Sequence, residues 1–197
     1  MCYGRIMSAV QKPMTVEEFL AWEERQEGRY EFDGFRPVAM TGGTFAHEVF
    51  GRNLRTELDI RLRGTRCAPL GPNMMIEVAG RIRYPDGFVV CSPVERKATV
   101  VRDPVIVFEV LSESTAHIDH LEKLREYTAT PSIRRYVILE QDQNGAIVYV
   151  RDGDRTVVET IARGDTMRLP EIGVEIAIED LYRGVEPEEP RVAEPSG

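Results

Sequence analysis

The sequence has few cysteines and no long apolar run. Three cysteines, Cys2, Cys67 and Cys91, occur among 197 residues, and their spacing is not that of a metal-binding motif. We therefore expect free thiols, as in a reducing cytoplasm. No apolar run approaches the roughly 20 residues that cross a bilayer, and the first residues form no signal-peptide pattern. These absences predict a cytoplasmic protein with no membrane partner.

Excess positive charge is also lacking. Lys and Arg number 25 against 33 Asp and Glu, which gives a formal net charge of −8. This charge argues against a large surface that neutralises nucleic-acid phosphates, and so against a tight, non-specific nucleic-acid binder. It does not exclude an enzyme that contacts a nucleic-acid backbone briefly.

The length fits one domain with a complete hydrophobic core. Residues 1–13 show no hydrophobic periodicity and are predicted to be a flexible leader. Residues 14–185 are predicted to form the domain. Residues 186–197 are rich in proline and glutamate, which predicts a disordered acidic tail.

Hydrophobic spacing and turn residues predict an α/β fold. Thr15 and Glu18 have the spacing of a capping box, which predicts a helix start. Further helices are predicted over 47–63 and 117–129. Strands are predicted over 29–32, 35–40, 66–68, 74–78, 86–91, 105–111, 135–139, 146–151, 155–162 and 174–178, and 92–103 is predicted to be a loop. The strand–helix–strand order over 105–139 predicts parallel pairing, and hence a mixed sheet flanked by helices.

The most informative stretch is residues 105–111, in which six of seven residues are apolar. Such a run is typical of a central strand that is covered on both faces. Glu109 interrupts it. An unpaired carboxylate there would cost about several kcal/mol, so it needs either a cationic side chain or a metal ion.

A second acid makes the metal ion the better explanation. Asp86 begins another predicted strand, and if the two strands are adjacent their backbones lie about 4.8 Å apart. Two carboxylates and the Val110 carbonyl would then suit Mg²⁺, with Mn²⁺ as a substitute. Glu31 interrupts an aromatic strand and is a further candidate ligand or water-positioning acid. The alternatives are turn chemistry for Asp86, an arginine ion pair for Glu109, and an ion pair of Glu31 with an arginine such as Arg29 or Arg36.

The predicted third helix offers a cation for the same site. Asp119 and Lys123 are four residues apart, and Lys123 borders the apolar face next to Tyr127. A lysine in that position can reach the strand ends while its stem stays packed. An ordinary surface ion pair with Asp119 is the alternative. His47, at the start of the second helix, is either a core histidine or a residue at the edge of the site, and Asp119 and Tyr127 are further candidates for that edge.

Together these residues resemble the Uma2 family of restriction endonucleases. The resemblance covers about residues 14–182 and rests on YEFDG at 30–34, the helix of His47, Pro85-Asp86, FEVLSEST at 108–115, Asp119, Lys123, Tyr127 and Tyr136-Val137-Ile138. The family is similar to the PD-(D/E)XK nuclease superfamily, which implies a restriction-endonuclease-like mixed sheet flanked by helices. It also implies that Asp86 and Glu109 bind the metal, that Glu31 is an accessory acid and that Lys123 is the catalytic lysine.

One position departs from the superfamily pattern. The lysine usually lies two residues after the second acid, where this chain has Leu111. The family places its lysine on the following helix, as Lys123 would be. Catalysis then requires the Lys123 ammonium to come within a few ångströms of the two carboxylates.

Two functional hypotheses follow. The first is a Mg²⁺-dependent endonuclease that hydrolyses phosphodiester bonds in DNA. The second is a non-catalytic binding or regulatory module with a nuclease fold, in which the acids are structural. Exposed sheet edges, expected in such a fold, would favour a homodimer in either case.

Overall fold

The computed structural model describes residues 13–111, 118–141 and 145–185, with the backbone alone for residues 118 and 119. The predicted leader up to residue 12, the predicted tail from residue 186, Cys2 and the Asp119 side chain lie outside the described residues. Within the described residues, no helix is long and apolar enough to cross a membrane.

The three predicted helices are present. They are α1 (Val16–Glu23), α2 (Phe45–Leu62) and α3 (Ile118–Ala129), and a short α4 (Ile178–Tyr182) follows. The predicted capping box is confirmed, because Thr15 and Glu18 each accept a hydrogen bond from the other's backbone N–H. Thr44 caps α2 by accepting the N–H of His47 at 3.2 Å, which fixes the position of that histidine.

The strands form three sheets. In chain order the strands are β1 (Tyr30–Phe32), β2 (Pro37–Ala39), β3 (Ala68–Leu70), β4 (Met75–Val78), β5 (Arg81–Arg83), β6 (Gly87–Val90), β7 (Val100–Val101), β8 (Ile106–Leu111), β9 (Arg135–Glu140), β10 (Gly145–Asp152), β11 (Arg155–Ala162), β12 (Thr166–Leu169) and β13 (Val174–Ala177). The sheet orders are β2-β1-β5-β4-β7, β11-β10-β9-β8-β6-β3 and β12-β13.

The α/β class and the mixed sheet are confirmed, since β8 and β9 pair parallel while β6 and β8 pair antiparallel. The single predicted sheet is wrong, because β1, β2, β4, β5 and β7 form a sheet of their own. Strands β5, β7 and β12 were missed. Two of the three residues in β5 are arginines, β7 has only two residues inside a polar interval, and β12 has only four residues.

Strand β8 has the central position that its sequence predicts. It lies between β6 and β9, and Ile106, Val107 and Phe108 are fully buried. One face packs against α2, with Phe108 in the same core cluster as Leu54 and Leu58. Val107 on the other face packs in the cluster that contains Tyr127 of α3. Protein therefore covers both faces of β8, so a polar side chain on either face is buried.

The expectation of free thiols is wrong for Cys67 and Cys91, which form a disulfide with their Cα atoms 3.9 Å apart. Strands β3 and β6 pair with Ala68 opposite Val90, so the cysteines just outside these strands also face each other. The spacing of 24 residues does not indicate this pairing, because it depends on two short strands that meet only in the folded sheet.

Candidate active site

Asp86 and Glu109 are neighbours across two adjacent strands. Strands β6 and β8 pair with Gly87 opposite Phe108, so the next position along places Asp86 opposite Glu109. The predicted adjacency of the two strands is thus confirmed. The Glu109 side chain is buried, and the Asp86 side chain is 16% exposed at the strand end. Glu109 is therefore the buried member of the pair and Asp86 the partly exposed one.

The Asp86 carboxylate is held at both oxygens. Its Oδ1 lies 2.7 Å from Nε2 of His47, and its Oδ2 accepts the backbone N–H of Val110 at 2.7 Å. The hydrogen bond to Asp86 raises the pKa of His47, the negative charges of Asp86, Glu109 and Glu48 add to that rise, and burial opposes it. His47, for which a core role and an edge role were both open, thus lies in direct contact with the site.

The backbone of Asp86 is also fixed. Arg55 of α2 donates from Nη1 to the Asp86 carbonyl oxygen at 3.3 Å. Gly71, with φ of +116°, packs so closely that an added Cβ would lie 2.9 Å from the same oxygen. Neither residue was predicted to be part of the site. The glycine in Gly71-Pro72 reads as an ordinary turn signal, and the spacing of Arg55 on its helix gives no sign of its partner.

Glu109 is held by α3. Its Oε1 lies 3.2 Å from Nζ of Lys123 and accepts the Tyr127 hydroxyl at 2.8 Å. Burial raises the pKa of Glu109 to about 7, with Lys123 and Tyr127 opposing the rise and the negative charges of Asp86 and Glu31 adding to it. The acids thus repel one another in a partly dry environment, and a bound cation would relieve this repulsion.

Catalysis by Lys123 requires its ammonium to lie within a few ångströms of both carboxylates, and the structure shows this for Glu109. Its ammonium contacts Glu109 directly, and its side chain is only 13% exposed. The lysine on the helix therefore reaches the Glu109 carboxylate. The surface pair with Asp119 involves a side chain that is not described.

Glu31 is engaged with a residue that the sequence did not suggest. Its Oε2 accepts from Nη1 of Arg83 at 2.9 Å, and its Oε1 accepts the backbone N–H of Tyr84 at 3.1 Å. The arginines weighed for this pairing were Arg29 and Arg36. Arg83 instead projects from β5, a strand that the sequence did not predict.

Arg83 also forms an ion pair with Glu126 of α3. It donates from Nε and Nη2 to the two carboxylate oxygens of Glu126 at 2.7 and 2.6 Å, and both side chains are almost fully buried. Glu126 directly precedes Tyr127, and Tyr84 directly precedes Pro85-Asp86. The ion pairs of Arg83 with Glu31 and Glu126 therefore link the strand end that carries Asp86 to the helix that carries Lys123.

The donor atoms at the site suit a hard divalent cation. No group of three or more His, Cys, Asp or Glu within the described ranges is arranged to hold a metal. Magnesium, however, is commonly bound through one or two carboxylates and retains several waters. A carboxylate has about four acceptor positions, so the hydrogen bonds to His47 and Val110 N–H leave Asp86 able to accept more. The carboxylates of Asp86 and Glu109 are thus of the chemical type that such an ion binds.

Known proteins resemble this chain over most of its length. The model of the Uma2 family, described as "Putative restriction endonuclease", matches residues 16–179. Two similar proteins come from Synechocystis sp.: the uncharacterized protein slr1290 is 32% identical over 177 residues, covering 87% of this chain and 93% of its own, and sll1609 is 24% identical over 166 residues, covering 82% and 94%.

A solved structure shares the fold. It is a crystal structure from Anabaena variabilis described as a putative nuclease belonging to DUF820. It matches with a TM-score of 0.71 at 16% identity, over 86% of this chain and 98% of that one.

Proposed function

This chain belongs to the Uma2 family, and from that membership and the site geometry we propose that it is a Mg²⁺-dependent endonuclease that hydrolyses phosphodiester bonds in DNA. One observation carries the proposal. Asp86, directly before β6, lies opposite Glu109 of β8, and the Lys123 ammonium lies 3.2 Å from Glu109. Mn²⁺ is proposed to substitute for Mg²⁺, since both prefer oxygen ligands.

Three groups are proposed to hold the ion: the carboxylates of Asp86 and Glu109 and the carbonyl of Val110. A magnesium ion bound there would polarise the scissile phosphate and lower the pKa of a bound water. His47 and the Val110 N–H orient Asp86, and Tyr127 orients Glu109. These contacts hold the carboxylates in place before the substrate arrives.

Lys123 is proposed to be the catalytic lysine. Its ammonium lies beside Glu109 and, being largely shielded from solvent, keeps more of its electrostatic effect than an exposed lysine would. It would donate a hydrogen bond to the attacking water or to the oxygens of the pentacoordinate phosphorus. Its charge would thereby stabilise the negative charge that develops during phosphoryl transfer.

Glu31 is proposed to act on the site through other groups. Its two oxygens hold Arg83 and the N–H of Tyr84, which lies two residues before Asp86. It therefore serves as a positioning residue for Asp86, and its negative charge adds to the field at Glu109.

The proposal is tested by incubating supercoiled plasmid and single-stranded DNA with the protein and Mg²⁺ or Mn²⁺. We expect nicking that requires the metal and that Glu109→Gln reduces by about 100-fold or more, the scale of losing one preorganised catalytic group. Glu175→Gln is the control, because Glu175 is an exposed glutamate on β13. Absence of cleavage by the wild type with either metal, or equal cleavage by Glu109→Gln, would overturn the proposal.

The second candidate is a non-catalytic nucleic-acid-binding or regulatory module. The observation that favours it is that Asp86 and Glu109 already have hydrogen-bonding or charged partners within the protein, namely His47, the Val110 N–H, Lys123 and Tyr127. Such a module would bind DNA without cutting it. Gel-shift titrations beside the cleavage assay separate the two candidates: binding without cleavage supports the module, and metal-dependent cleavage supports the enzyme.

A further inference from the structure

Strand β11 is an open edge of the six-stranded sheet. It pairs with β10 over its full length, from Arg155 opposite Asp152 to Ala162 opposite Gly145. In the part of the chain that the structure describes, no strand pairs with its other side. The backbone N–H and C=O groups of alternate residues along β11 therefore point away from the sheet, ready to bond to another strand.

The other edge strands of the two larger sheets are poorly suited to pairing with a further strand. Strand β3 has three residues and contains Pro69, strand β2 has three residues and contains Pro37, and β7 has only two residues. Proline removes a donor, and short strands offer few groups for pairing. Strand β11 has eight residues, no proline and a high content of threonine, valine and isoleucine, which favour sheets.

Both faces of β11 expose apolar side chains. Val157 is 43% exposed and Val158 is 57% exposed, and successive residues of a strand point to opposite faces. Val158 lies opposite the half-buried Tyr149 of β10, which continues the apolar surface on that face. A strand added beside β11 would cover both valines at once.

We propose that this edge is the dimer interface of the protein, formed by antiparallel pairing of β11 with β11 of a second copy. A strand is complementary to itself in an antiparallel twofold arrangement, because each copy offers the same donors and acceptors in reverse order. The charged residues of β11 also favour a second copy of the same strand as the partner. When Val157 faces its own equivalent, Arg155 faces Glu159 of the partner subunit, and symmetry repeats this pair of opposite charges.

The test measures the mass of the full chain, 22.3 kDa as a monomer, by sedimentation equilibrium over a range of concentrations. We expect a monomer–dimer equilibrium that Val157→Lys weakens by at least about tenfold in Kd, because Val157 faces its own equivalent in this register and two lysines would meet at the twofold axis. Val38→Lys is the matched control, since Val38 is a 41% exposed valine on the edge strand β2. It should leave the Kd unchanged.

A charge reversal tests the antiparallel register. Arg155→Glu should weaken the dimer, and Arg155→Glu combined with Glu159→Lys should restore it. The fold should tolerate the second change, because Arg135 keeps its contacts of 3.1 Å to Glu171 when its 3.5 Å contact to Glu159 is lost; circular dichroism checks this. A monomer at every concentration, a Kd that Val157→Lys does not change, or a double variant no better than Arg155→Glu would overturn the proposal.

Discussion

At the scale of single residues, Asp86 is the point on which the contacts of the site converge. His47 and the Val110 N–H hold its carboxylate, while Arg55 and Gly71 fix its carbonyl from the outside. The two acids were predictable from the sequence, because a charged residue in an apolar strand stands out. Arg55 and Gly71 were not, because their contacts with Asp86 depend on how distant segments pack.

Gly71→Ala should disturb the site by moving Asp86. The alanine would have to adopt a φ of +116°, and its Cβ would lie 2.9 Å from the Asp86 carbonyl oxygen. We therefore expect a loss of about 1–3 kcal/mol in unfolding free energy and weaker Mn²⁺ binding. Urea unfolding and calorimetric titration measure the two effects.

Gly80→Ala is the control for Gly71→Ala. Gly80 also has a positive φ, of +74°, but an added Cβ would have no neighbour within 4 Å. The Gly80→Ala variant should therefore lose at most about 1–2 kcal/mol of unfolding free energy, because alanine disfavours the left-handed conformation, and it should keep its Mn²⁺ affinity. Equal effects of the two substitutions on Mn²⁺ binding would contradict the role given to Gly71.

Lys123→Met should strongly reduce cleavage without unfolding the chain. Methionine replaces the packed stem but not the ammonium beside Glu109, so nicking should fall about 100-fold or more while the circular dichroism spectrum stays the same. Lys97→Met, at an exposed position, serves as the control and should cut like the wild type. A Lys123→Met protein that nicks plasmid at the wild-type rate would remove lysine from the mechanism.

At the scale of elements, α3 is the helix whose placement decides the site. It carries Lys123 and Tyr127, and Glu126 between them binds Arg83 of β5 with both oxygens. The helix itself was predictable from its apolar spacing. The ion pair that holds α3 in place was not predictable. Arg83 and Glu126 are 43 residues apart, and the two arginines of β5 hide the hydrophobic pattern by which a strand is recognised.

Removing one partner of the Arg83–Glu126 pair should destabilise the fold more than replacing both partners with apolar residues. Glu126→Ala leaves a buried guanidinium with one acidic partner fewer, and we expect a loss of about 3–5 kcal/mol in unfolding free energy. Arg83→Met combined with Glu126→Leu should recover part of that loss, because neither member of the pair is then left without the other, while the buried Glu31 loses its ion pair with Arg83.

A double-mutant cycle by urea unfolding measures this coupling. Glu175→Ala is the control, because the Arg168–Glu175 pair is 77% and 64% exposed and should contribute no more than about 1 kcal/mol. Additive losses in the Arg83 and Glu126 variants would show that the ion pair does not anchor α3.

At the scale of the whole molecule, the site lies where two sheets and two helices meet. A core cluster joins Ile76 of β4, in the five-stranded sheet, to Val107 of β8 and Tyr127 of α3. The α/β class and the parallel pairing of β8 with β9 followed from the order of strands and helices. The division into separate sheets did not, because alternation of apolar residues identifies a strand but not the sheet that it joins.

Metal binding should stabilise the entire chain, because only the folded protein brings Asp86 and Glu109 together. At a Mn²⁺ concentration of 100 times the Kd, the expected gain in unfolding free energy is about 2.7 kcal/mol, and EDTA should reverse it. Asp86→Asn should lose the gain, whereas Asp59→Asn, at a 71% exposed side chain, should keep it. Thermal unfolding with and without Mn²⁺ makes the comparison, and an equal gain in Asp86→Asn would place the ion elsewhere.

The central claim is that Asp86 and Glu109 together hold one divalent cation. A crystal soaked in Mn²⁺ and measured for anomalous scattering tests it most directly. We predict one strong peak at about 2.0–2.2 Å from an oxygen of each carboxylate, with the Val110 carbonyl as a further ligand. No peak between these two side chains at saturating Mn²⁺, or a peak that contacts neither of them, would contradict the account.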